Sequence, residues 1–124
     1  MDQNKYGVLK YSSVNIGDDI QSIAAMRYLP RIDEYIHRDR VDKFKSDKKV
    51  KTIMNAAWML EPKHMPPTED IDPLLISMHL KMVTRQAMTP KLKQYLINHG
   101  PVGCRDTDTV EYLTSLGIPA YFSG

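Results

Sequence analysis

The chain has 124 residues, 42% of them hydrophobic and 26% charged, the size and balance of one globular domain with a modest core. A formal net charge of +2 and an aromatic fraction of 8% argue against a strong basic field or a ring platform for nucleic acid. Cys104 is the one cysteine, so no internal disulfide forms. The apolar runs are too short to span a bilayer, and "MDQNKYGVLKY" lacks the basic-then-apolar pattern of a signal peptide. These features predict a soluble, cytoplasmic protein with no transmembrane segment and no nucleic-acid partner.

Val8, Leu9 and Tyr11 give residues 6–12 strand character. Ile16, Ile20, Ile23 and Ala24 fall on one face of a helix expected at 18–29, which Pro30 stops. Ile32, Tyr35 and Ile36 suggest a short second strand near 33–37. The mixed-charge stretch from Arg38 to Lys51 reads as a solvated loop or a short surface helix. "VKTIMNAAWM" resumes a buried strand, with Ile53 and Met54 inside. Four prolines make 61–73 an irregular loop. "LLISMHLKM", 74–82, is the fourth strand.

The second half is more strongly marked. Thr89 caps a helix that Pro90 opens and Gly100-Pro101 ends. "VGCRD" is a fifth strand. Asp108 and Glu111 read as the capping box of a further helix, with Gly117 its stop. "AYFSG" begins a sixth strand. Strands alternating with helices predict an α/β, Rossmann-like domain whose mostly parallel sheet is flanked by helices. No helix follows the last apolar run to cover the sheet, so the chain is expected to be one half of a larger protein or to pair with a partner.

Ligands of such sheets bind where strands end and helices begin. "NIGDDIQ" brings Asn15, Gly17, Asp18 and Gln21 to the first such turn. Gly17 admits close backbone approach, and the free N–H groups of the helix start suit an anion. Asp18 and Asp19 compete for those groups, so they either cap the helix or accept hydrogen bonds from sugar hydroxyls. Ser77 and His79 are expected on one face of the fourth strand. His79 either lines the cleft at the strand ends or is a hydrogen-bonded structural residue. Arg105 and Asp106 end the fifth strand, where Arg105 either grips phosphate or carboxylate or pairs with Asp106 or a neighbouring acid. Asn55 and Trp58 follow the third strand, and Trp58 packs or stacks on a sugar. Cys104 is either an inert buried thiol or one activated by Arg105. His37, His64, His79 and His99 show no metal-ligand spacing, so no metal is expected.

Taken in order, "NIGDDIQSIAAMRYLP", "IMNAAWM", "IDPLLISMHL" and "GPVGCRDTDTVEYLTSLGIPAYFSG" resemble the polysaccharide pyruvyl transferase family, over Tyr6 to Gly124. The resemblance implies the N-terminal half of a two-domain fold like that of the GT-B glycosyltransferases. It implies transfer of pyruvyl from phosphoenolpyruvate, as co-substrate, to a sugar of a surface polysaccharide or its lipid-linked precursor, without a metal or other cofactor. Asn15, Gly17, Asp18 and Gln21 would line the acceptor side, and Arg105 and Asp106 match the second motif. Asp18 or His79 would act as general base, and Arg105 would steady an anionic group. The donor site is expected mainly in the second half, so this chain alone is expected to be inactive. Two other readings stay open: a non-catalytic module binding a glycan, a second copy or another partner, and a nucleotide-sugar glycosyltransferase domain.

Overall fold

The computed structural model describes residues 4–10, 24–56, 65–80, 85 and 88–124. The predicted first motif, with Asn15, Gly17, Asp18 and Gln21, lies outside them, as do Trp58 and His64. The described chain builds one six-stranded sheet in the order β2-β1-β3-β4-β5-β6. Its strands are β1 (Lys5–Lys10), β2 (Glu34–His37), β3 (Val50–Ala56), β4 (Ile71–Met78), β5 (Val102–Cys104) and β6 (Ala120–Phe122). Every neighbouring pair is parallel, which is the predicted α/β, Rossmann-like class. Helix α1 (Pro90–His99) joins β4 to β5, and α2 (Thr107–Ser115) joins β5 to β6. Residues 24–26 are helical and belong to the helix predicted at 18–29.

The strand order fixes the layers. A crossover between parallel strands is right-handed, so connections that step one way across a sheet share a face. The steps from β4 to β5 and from β5 to β6 run in the same direction, and α1 and α2 pack on one side. There Leu92, Leu96 and Leu113 join Leu9, Ile36, Met54, Leu75, Met78, Val102 and Cys104 in the main core. The step from β1 to β2 runs the opposite way. Its residues Ala25, Met26 and Leu29 accordingly meet Val8, Ile53 and Ile76 on the other face.

Local chemistry explains the helix ends. Thr89 Oγ1 accepts a hydrogen bond from the Leu92 N–H at 3.1 Å, and Pro90 stands where no N–H is needed. Gly117 takes φ +78°, the left-handed conformation that ends α2. The expected capping box of Asp108 and Glu111 is corrected. The cap is Asp106, whose Oδ1 accepts from the Thr109 N–H at 2.7 Å, so α2 starts at Thr107.

Two further expectations are corrected. The stretch after β2 is not simply solvated: Arg38 is 6% exposed, and Val41 is fully buried in the main core. A connection from β2 to β3 must cross the sheet face, and Val41 fills the space it crosses. The irregular loop also ends earlier than Pro73, because β4 begins at Ile71. Pro73 fits there because β4 meets β5 only at Met78↔Cys104, so one flank near Pro73 has no ladder to interrupt.

Gly7 marks the tightest point of the sheet. A Cβ there would lie 2.8 Å from Val50 Cγ1, 3.2 Å from the Glu34 carbonyl oxygen and 3.3 Å from Ile36 Cδ1. The carbonyl belongs to the paired strand and cannot swing away. Gly7→Ala is therefore expected to destabilise the fold by about 1–3 kcal/mol. Urea unfolding should show a lower midpoint with an unchanged slope.

Candidate functional site

The carboxyl ends of β4 and β5 lie side by side, tied by the Arg105 N–H donating to the Met78 carbonyl at 2.8 Å. This contact sets the residues after the two strands next to each other. His79 follows β4, and Asp106 follows Arg105 at the start of α2. His79 Nδ1 lies 2.7 Å from Asp106 Oδ2, with both side chains about one-third exposed. The other oxygen of the same carboxylate caps α2 through Thr109 N–H.

Burial alone would raise the pKa of Asp106, but it is outweighed by the His79 hydrogen bond and by the Thr109 hydroxyl and N–H. The carboxyl is held at about 2. It is therefore an anion at neutral pH and can only accept. Nδ1 of His79 must be the donor, which leaves the proton off Nε2 in the neutral ring. Nε2 has no partner among the described residues. A neutral imidazole whose Nε2 is the acceptor nitrogen can take a proton from a hydroxyl.

Arg105 is exposed, and its guanidinium makes no ion pair with any described residue. The alternative pairing with Asp106 does not occur, because His79 and the helix start occupy that carboxylate. Cys104 is buried, and burial together with the Asp106 charge pushes its thiol up to about 11. It is the inert thiol of the two readings.

A second feature opens on the opposite face of the sheet. Between Met54 and Ala56 of β3, the partner β4 advances from Leu75 to Met78, one residue more than its neighbour. The extra residue is accommodated at Ser77, with φ +51°. Ser77 N–H donates to Ser123 Oγ at 3.0 Å, and Ser77 Oγ donates to the Gly124 carbonyl at 2.6 Å. These bonds hold a backbone conformation that serine seldom adopts. The expected shared face of Ser77 and His79 is thereby corrected. Ser77 opens with Asn55 and Ser123 onto a hollow of about 430 Å³ floored by Ala25, Ile53 and Ile76. His79 turns instead toward the start of α2. A shallower hollow of about 270 Å³ continues it along β3 and β4, sharing Tyr28, Ile53 and Leu74.

The structure thus brings His79, Arg105 and Asp106 to one rim, and gives Asp106 internal partners for both oxygens. Asn15, Gly17, Asp18 and Gln21 lie outside the described residues. The bulge at Ser77 and its link to Ser123 were not anticipated from sequence; nothing local in "LLISMHL" marks an extra residue. Among the described residues no cluster of three His, Cys, Asp or Glu side chains could hold a metal, and no helix is long and apolar enough to cross a membrane. Comparison of the chain with protein-family models, curated proteins and solved structures finds no match to any of them.

The acidity of Asp106 makes a stability prediction. Its folded-state value lies below its unfolded one, so its contribution is fully present above pH ~4 and is lost as pH falls toward 2. Asp106→Asn keeps a good helix cap but removes the charge. At pH 7 the variant should be less stable by about 1–2 kcal/mol, allowing for solvent screening at this half-open site. Chemical denaturation repeated at lower pH should show the gap closing between pH ~4 and ~2. A gap that persists at pH ~2 would rule out the charge as its source.

Proposed function

We propose that this chain is the acceptor-side domain of a pyruvyl transferase-like enzyme acting on a sugar of a surface polysaccharide or its precursor. The observation that carries this reading is the His79–Asp106 pair, 2.7 Å apart at the strand-end rim, beside an exposed Arg105 that makes no ion pair with any described residue. The order of sequence motifs adds the reaction class. In that reaction two acceptor hydroxyls become bonded to C2 of phosphoenolpyruvate. C3 gains a proton to become a methyl group, the bond from C2 to the phosphate oxygen breaks, and phosphate leaves carrying the second hydroxyl proton. His79 takes the proton of an attacking hydroxyl at Nε2, while Asp106 holds the ring and steadies the imidazolium. Arg105 lies where it can meet a phosphate or carboxylate of donor or acceptor. The described rim supports His79 over Asp18 as the base only in that a partner orienting the ring is present.

A second reading, a module that binds a glycan or another chain without chemistry, is favoured by the exposed apolar side chains near the hollows. Tyr28 is 82% and Leu74 53% exposed. Concentration-dependent association in sedimentation, with no turnover in any assay, would favour it.

The test is phosphate release from phosphoenolpyruvate with a panel of free and lipid-linked glycans, using the protein with any sequence that continues past Gly124. His79→Gln should lower kcat by about 100-fold or more, as expected for loss of a general base. Arg105→Ala should chiefly weaken binding of the anionic partner, by about tenfold for a charge-assisted contact. Absence of turnover across the panel defeats the pyruvyl assignment, and an active His79→Gln defeats the base assignment.

A further inference from the structure

We infer that Arg85 is a positioning residue for His79, bracing the backbone directly after it against the helix that holds its ring. This inference rests on the reading of His79 as the base, and extends it to a residue with no place in any motif above.

Leu80, the residue after His79, is buried and held from both sides. Its N–H donates to Thr109 Oγ1 at 3.4 Å, and its carbonyl accepts from Arg85 Nε at 3.1 Å. The second arm of the guanidinium reaches Asp108 Oδ2 at 2.6 Å. The same guanidinium lies 4.9 Å from the centre of the Tyr112 ring, and the Tyr112 hydroxyl donates to the Arg85 carbonyl at 2.9 Å. The Arg85 side chain is only 11% exposed. Asp106, Asp108, Thr109 and Tyr112 all belong to the first turns of α2 or its cap. The contacts therefore close a circuit from His79 through Leu80 and Arg85 to α2, and back through Asp106 to the imidazole.

The chemistry of the circuit needs arginine. Its rigid fork donates in two directions at once, to a carbonyl and to a carboxylate, and presents a flat face to a ring. A lysine ammonium keeps the charge but cannot hold all three in fixed geometry. Fixing Leu80 fixes the Cα of His79, and ring orientation in a hydrogen-bonded pair responds to shifts well below 1 Å.

The test reads the ring itself. Imidazole nitrogen-15 shifts of the labelled full chain give the ratio of His79 carrying its proton on Nδ1 to that carrying it on Nε2. The Nδ1–H form should predominate in the unaltered protein. Arg85→Met should lower that ratio about fivefold, the effect of loosening one hydrogen bond, and Arg85→Lys should fall between the two. Asp108→Asn removes a partner of Arg85 but leaves the bond to Leu80. It should change the ratio less than about twofold even where it lowers stability. An unchanged ratio in a folded Arg85→Met protein overturns the brace, as does an equal shift in Asp108→Asn. Should Arg85→Met not fold, Arg85→Lys decides by the same measure. A shifted ratio in a protein without transferase turnover supports the brace and counts against the base assignment alone.

Discussion

The rim depends on one carboxylate. Asp106 uses one oxygen to accept from the Thr109 N–H in the first turn of α2 and the other to hold the His79 ring. Both partners favour the anion, the helix start through its unpaired donors and the imidazole through its proton. That double engagement outweighs the cost of partial burial. It also transmits rigidity: α2 is seated in the core by the fully buried Leu113, so a side chain anchored to its first turn inherits that anchorage. A histidine at a strand end without such a cap would sample several rotamers and both neutral proton positions.

Handedness decides what surrounds the rim. With α1 and α2 committed to one face, the described cover of the other face is the short stretch around Ala25 and Leu29, packed over Val8 and Ile53. The hollow lined by Asn55, Ser77 and Ser123 lies beside that cover, at the carboxyl ends of β3, β4 and β6. An all-parallel sheet thus presents a polar edge and an apolar floor at the same end, the combination in which small ligands are usually held. The bulge in β4 contributes directly. By spending one extra residue, it lets Ser77 face the hollow while Met78 still fills the main core.

The parts of this fold legible in the sequence are those written in local chemistry. Thr89-Pro90 opens a helix wherever it precedes an apolar stripe such as Leu92 and Leu96, and Gly117 closes one because it tolerates the left-handed conformation. The alternation of strands and helices was enough for the parallel sheet. What remained hidden depends on contacts between distant residues. Asp106 and Asp108 are equally good caps on paper. The choice falls to Asp106 because His79, from another strand, takes its second oxygen, while Arg85 draws Asp108 away. Val41 looks like one apolar residue in a charged loop, and only the crossover path makes it core. The bulge at Ser77 arises from register between β3 and β4, which neither strand encodes alone.

The same engagement explains why Arg105 keeps its charge available. In sequence it adjoins an acid, and an exposed pair of that kind would be worth little while occupying the guanidinium. In the structure Asp106 is already spoken for by a ring and a helix start, so the neighbouring cation is left facing solvent. Among the described residues, an anion approaching the rim need not displace an ion-pair partner from Arg105. It also meets a histidine whose Nδ1 is engaged by Asp106. Attraction for negative charge and capacity to accept a proton are thus separated onto adjacent side chains by a carboxylate committed to the His79 ring and the start of α2. The proposed transfer, from an anionic donor to a neutral hydroxyl, would require that separation, since one group cannot bind the charge and remain unprotonated at the same time.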